Sequence, residues 1–204
     1  MIYGNIILLN GASSAGKSSI VKALQNLLEE PYLEAGIDKF LFMLPKAYLN
    51  QAALWHQVIG YEKDESGALL PKVGPRGHQL MSGMHHAIAG MARQGNHVIA
   101  DHVLLHPSWL DEWLNVWHEL RVLFVGIYCP PDILEQRERD RKDRTIGQAR
   151  GQAKVVHQNC EYDLLLDTSM LSTDECAAQI LQCLQEGKLS AFENMRQNRL
   201  TSGP

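Results

Sequence analysis

Residues Asn5 to Ser19 read NIILLNGASSAGKSS. Gly11, Ala12, Ser13, Ser14, Ala15, Gly16, Lys17 and Ser18 fit G-x-x-x-x-G-K-[ST], and Ser19 follows directly. Ile6 to Leu9 form an unbroken apolar run ahead of the glycines, as a buried parallel strand would. Behind them Ile20, Val21, Leu24, Leu27 and Leu28 recur at helical spacing. Strand, glycine loop and helix are the context that makes this motif a phosphate cradle. Glycines let the loop bend so that backbone N–H groups turn inward, and the helix N-terminus adds its positive dipole end. Lys17 is expected to reach the β- and γ-phosphates, with the Ser18 hydroxyl holding Mg²⁺. A nucleoside triphosphate, ATP with Mg²⁺ in the simplest case, is the expected ligand.

The totals narrow the class. A chain of 204 residues can bury one sizeable core, so one domain over 1–204 is expected. Net charge is −4, which leaves no basic footprint for a general nucleic-acid binder. No apolar run reaches membrane-spanning length. The first residues enter the strand without a cleavable signal pattern. Cys129, Cys160, Cys176 and Cys183 contain no C-x-x-C pair and read as buried free thiols. A cytoplasmic location fits, and a homo-oligomer is compatible with the sequence.

Further along, Tyr32 to Ile37 predicts a second strand ending at Asp38. KFLFMLPKAYL, residues 39–49, predicts an apolar helix stopped near Pro45. Asp38 at a strand-to-helix junction is either a ligand-facing carboxylate or a helix N-cap, and position alone does not choose. Residues 60–77 read as an inserted hairpin or loop. Arg76 to Arg93 predicts a helix with Leu80, Met84, Ile88 and Met91 on one stripe, ended by Gly95. Met and aromatic residues between Phe40 and Met91 could line an acceptor pocket or belong to the core.

His97 to Ala100 predicts a third strand closing on Asp101, which is either the Mg²⁺-side Walker B aspartate usual downstream of a P-loop or a turn aspartate. The pairs His85–His86 and His102–His106 lack a third metal ligand and read as solvated or hydrogen-bonded. Trp109, Trp113 and Trp117 fall four apart on one face of a helix over 107–118. Arg121 to Tyr128 and Asp163 to Asp167 predict the fourth and fifth strands, and a helix over 174–185 closes the unit ahead of a polar tail over about 188–204.

Residues 137–150 concentrate Arg137, Arg139, Arg141, Lys142, Arg144 and Arg150. Interleaved acids allow a solvated, self-paired helix face. Arg137 and Arg141, however, stack like charges four apart, and Gly147 offers a hinge. A movable arginine lid over a triphosphate accounts for both. Alternating strands and helices predict an α/β P-loop NTPase fold: a five-stranded, mostly parallel, doubly wound sheet with helices on both faces and a short lid. No guanine-reading N-K-x-D motif is present, which sets a translational-type GTPase aside.

With LNGASSAGKSS, GIDKFLFMLP, VIADHVLL, YCPPDILEQRERDRKDRTIGQA and QAKVVHQNCEYDLLLDTS all in place, the chain resembles the chloramphenicol phosphotransferase family from Ile6 to about Ala178. The resemblance implies a P-loop kinase that moves the γ-phosphate of ATP to a hydroxyl of a small molecule. It implies Asp38 as catalytic base, Arg137, Arg141 and Arg144 as lid arginines, and Asp101 as the carboxylate after the third strand. Segments 40–55 and 60–77 match least, so the reaction is implied more firmly than the acceptor. The alternatives are a kinase of another hydroxylated metabolite, such as a nucleoside, sugar or cofactor precursor, and a nucleotide-binding module without transfer activity.

Overall fold

Strand β1 (Ile6–Asn10) is buried at every position and sits in the middle of a five-stranded sheet. The computed structural model describes residues 2–141 and 146–202. The other strands are β2 (Tyr32–Glu34), β5 (His97–His102), β6 (Val122–Tyr128) and β7 (Leu164–Asp167), in the spatial order β2-β5-β1-β6-β7. Every pairing within it is parallel. A parallel sheet needs both faces covered, and uninterrupted apolar runs such as Ile6–Leu9 are the result. On the helical layers α1 (Lys17–Leu27) packs with α9 (Thr173–Glu186), and α5 (Pro75–Arg93) packs with α6 (Pro107–Val116), which also meets α10 (Ala191–Ser202). The register pairs Leu9 with Asp101 and Asn10 with His102. The end of β5 therefore emerges beside the P-loop. Among the described residues no helix is long and apolar enough to cross a membrane.

Several expectations need correction. β2 stops at Glu34, and Asp38 lies in the first turn of α2 (Ile37–Leu41), not at the end of a strand. The apolar segment after it breaks into α2, α3 (Lys46–Asn50) and α4 (Ala52–Trp55), with Pro45 and Gln51 in extended backbone between them. Residues 60–77 do hold a hairpin, β3 (Ile59–Lys63) against β4 (Leu69–Val73), antiparallel and apart from the main sheet. The basic stretch is two helices, α7 (Pro131–Arg141) and α8 (Gln148–Ala153), and Lys142 and Arg144 lie outside the described residues.

The polar tail is also more than a tail. Asp163 accepts hydrogen bonds from the backbone N–H groups of Ser190 and Ala191 at 2.8 and 2.9 Å, seating the start of α10. That helix buries Ala191, Phe192 and Met195, with Phe192 stacked on Trp117 at 6.2 Å. Three buried side chains spaced i, i+1 and i+4 among polar residues are a weak pattern.

The three tryptophans are core, as their spacing predicts. Between them lies an unexpected polar chain. Glu112 accepts from His85 Nδ1 at 2.5 Å, and His85 Nε2 meets His102 Nε2 at 3.3 Å. Both histidines are fully buried, so neither is solvated. Burial, outweighing the attraction of Glu112, lowers His85 to about 4, and burial holds His102 well below its usual value. Groups with depressed folded pKa values bind protons only on unfolding, so stability should be complete above pH 6.5 and fall as pH drops toward 4. Urea midpoints should show a loss of about 2 kcal/mol for His85 by pH 5. His85→Gln should flatten that slope, and an unchanged slope would rule this origin out.

Candidate active site

The glycine loop leaves β1 at Gly11, whose N–H donates to the His102 carbonyl at 3.3 Å. Ser14 (φ 62°) and Gly16 (φ 92°) both take left-handed backbone, unusual for a serine and tolerated where surroundings dictate it. The Ser14 hydroxyl is buried with no hydrogen-bond partner among the described residues. Lys17, 7% exposed, donates from Nζ to the carbonyls of Gly11 and Ala12 at 2.9 and 2.8 Å. A charged ammonium this deep thus stays solvated by the loop itself.

Asp101 stands across from it. The Ser18 hydroxyl donates to Asp101 Oδ2 at 3.2 Å. Burial raises the Asp101 pKa; nearby Lys17 pulls it down and nearby Asp38 pushes it up again. A hydroxyl and a buried carboxylate offering hard oxygens side by side fit a Mg²⁺ ion, which takes one or two protein oxygens and completes its shell with phosphate and water. Among the described residues no group of three His, Cys, Asp or Glu could hold a metal by itself. Gly36 makes the arrangement possible, since a Cβ there would come within 1.8 Å of Asp101 Oδ1. Two residues on, Asp38 is half-buried at the same edge.

Two cavities meet at the loop. The first, about 300 Å³, has Lys17, Ser18, Asp38 and Asp101 at its polar end and Leu41, Phe42, Trp55, Tyr61, Val103 and Leu105 along its walls. The second, about 610 Å³, opens between α7, the P-loop and the start of α9. Ser14, Gly16 and Arg141 line both. Arg137 points inward and donates to the carbonyls of Ser14 and Thr168 at 3.4 and 2.7 Å and to the Thr168 hydroxyl at 3.1 Å. It ties the P-loop to the end of β7. The predicted residues Gly11 to Ser18, Asp38, Asp101, Arg137 and Arg141 therefore converge, Ser19 lines the second cavity, and Arg144 falls outside the described residues. Of the apolar candidates Phe42, Trp55 and Tyr61 face the first cavity, whereas Met81 and Met84 are core.

Sequence reading missed Gln148, Gln152 and Thr168 at this site. Only Thr168 carried a signal, as a hydroxyl just past the fifth strand. It also missed Glu138, whose buried carboxylate accepts from the N–H groups of Gly147 and Ala149 at 3.0 and 2.6 Å and so caps α8. Gly36→Ala should displace Asp101 and destabilise the protein by about 1–3 kcal/mol in a urea melt. A melt indistinguishable from that of the parent would mean Asp101 does not need this close approach.

Residues 4–185 match the family model of chloramphenicol phosphotransferase-like proteins. A Mycobacterium tuberculosis protein whose name assigns it provisionally as an O-phosphotransferase is 34% identical over 98% of this chain and 92% of its own length. The M. tuberculosis APS kinase in complex with AMPPNP and APS superposes with a TM-score of 0.60 at 15% identity, over 91% of this chain and 99% of that one. The Deinococcus radiodurans tunicamycin resistance protein does so with a TM-score of 0.61 at 16% identity, over 89% of this chain and 95% of that one. At such identities the two structures speak for the fold, and the family match speaks for descent. The chain belongs to the chloramphenicol phosphotransferase-like family and is an ATP-dependent small-molecule kinase.

Proposed function

We propose that this kinase transfers the γ-phosphate of ATP, with Mg²⁺, to a hydroxyl of an uncharged, largely apolar small molecule, in the manner of a chloramphenicol 3-O-phosphotransferase. The observation that carries the reading is the first cavity: a carboxylate, Asp38, stands with Lys17, Ser18 and Asp101 at its P-loop end, and aliphatic and aromatic side chains line most of the rest, beside Arg141, Gln148 and Gln152. The second cavity, reached past Arg137 and Thr168, suits the rest of the nucleotide.

The roles follow from placement. The N–H groups at the α1 N-terminus, with the glycine loop curled around them, hold the phosphates. Lys17 exchanges its loop carbonyls for phosphate oxygens as the nucleotide enters. Ser18 and Asp101 would hold Mg²⁺, which supplies neutralisation of phosphate charge. Asp38 accepts the proton of the acceptor hydroxyl as its oxygen attacks, help worth about 10²–10⁴ in rate. Arg137, Arg141 and Arg144 stabilise charge spread over the transferring phosphoryl group. Residues 137–150 act as the lid, and α8 with the β3–β4 hairpin keeps water from the acceptor hydroxyl. A resistance role in the cytoplasm is the physiological counterpart of this reading if chloramphenicol is the acceptor.

Mg²⁺-dependent ADP release by the purified protein, measured first with chloramphenicol and then with neutral hydroxylated compounds, tests the proposal. Asp38→Asn should cut acceptor-dependent release by about 10²–10⁴ while leaving ATP affinity within about threefold. Turnover equal to the parent enzyme in that variant would remove Asp38 from the chemistry. Release supported by a charged acceptor and by no neutral one would overturn the acceptor class.

A further inference from the structure

Gln152 joins the two halves of the site. It is 3% exposed, on α8. Its Oε1 accepts from the backbone N–H of Ser13 in the P-loop at 2.7 Å. Its Nε2 reaches the Tyr61 hydroxyl at 3.3 Å, and Gln148 Nε2 reaches the same hydroxyl at 2.6 Å. The orientation of the Gln152 amide is not arbitrary. A backbone N–H can only donate, so the oxygen must face Ser13 and the amide nitrogen must face Tyr61. Tyr61 belongs to β3, on the wall of the first cavity.

The helix that carries Gln152 has little freedom. A Cβ at Gly151 would come within 1.9 Å of the Leu69 carbonyl, so α8 lies directly on β4. Leu69 N–H donates to the Gly147 carbonyl at 3.1 Å, and Lys154 reaches Asp64 at 2.5 Å and Ser66 at 3.1 Å. Hairpin and α8 form one body, and Gln152 is where that body grips the P-loop. None of these contacts touches a phosphate site directly, yet the Ser13 N–H lies inside the cradle.

We infer that Gln152 is a positioning residue that sets the P-loop for nucleotide through Ser13, and that Tyr61, on the acceptor wall, holds Gln152 in place. The inference rests on the P-loop binding nucleotide as proposed above. Loss of the Gln152 amide leaves the partly buried Ser13 N–H without its acceptor and frees the turn at Ser13. Loss of the Tyr61 hydroxyl releases the far end of the same side chain. The second effect must therefore travel through the first, and the two are coupled.

Affinity for ADP and for the β,γ-imido analogue of ATP, measured by calorimetry with Mg²⁺ and no acceptor, tests this. Gln152→Met should weaken binding about tenfold and Tyr61→Phe about threefold, with the double variant no weaker than Gln152→Met alone. Thermal midpoints add a readout that a general packing loss does not move. Tyr61→Phe should shrink the midpoint shift produced by nucleotide, with the nucleotide-free midpoint nearly unchanged. Tyr61→Phe loses only a hydroxyl from a half-buried ring and folds even if Gln152→Met does not. Parent-like affinity in Tyr61→Phe, or losses that multiply in the double variant, would overturn the inference. No nucleotide binding by the parent protein would instead overturn the nucleotide reading on which it rests.

Discussion

The buried ammonium of Lys17 is the constraint on which the site depends. A cation at 7% exposure must be compensated, and here two P-loop carbonyls lie within 2.9 Å and Asp101 close by. To keep it there the loop must curl back on itself, which calls for left-handed backbone at Ser14 and Gly16. To keep Asp101 there, β5 must lie beside β1 in the observed register. That register in turn requires a parallel sheet buried on both faces. The apolar core sets the strand order and the helical layers, and through them it brings Lys17 and Asp101 together at one edge.

Around that edge the molecule divides its work. The sheet supplies position, through β1, β5 and β7. The segments with the least regular structure supply the walls: α2 to α4 on one side, the β3–β4 hairpin and α8 on the other. Arg137 and Thr168 close the back of the P-loop toward β7. Arg141 borders both cavities, so a single guanidinium joins the two halves of the site.

The buried Glu112–His85–His102 chain shows how a sequence can mislead by composition. Histidines with no third ligand read as solvated or hydrogen-bonded, and two of them, His85 and His102, lie buried among three tryptophans, His85 bonded to Glu112. Their burial is decided by which face of α5 and β5 meets α6, and no local pattern records that. The tail is similar. Phe192 and Met195 become core only because Asp163, far away in sequence, fixes where α10 begins.

What the sequence determined by itself was everything short-range or strongly periodic. The strand–loop–helix at Asn5 to Leu28, the alternation that makes a parallel sheet and the tryptophan face were all legible, because each is set by neighbours a few residues apart. The acceptor side was not. Tyr61, Gln148 and Gln152 meet across 87 and 91 residues of chain, through uncharged side chains that carry no motif. Only tertiary packing brings a hairpin and a short helix onto the P-loop. Hydrogen bonds formed at such separations depend on the folded arrangement and leave no periodicity behind.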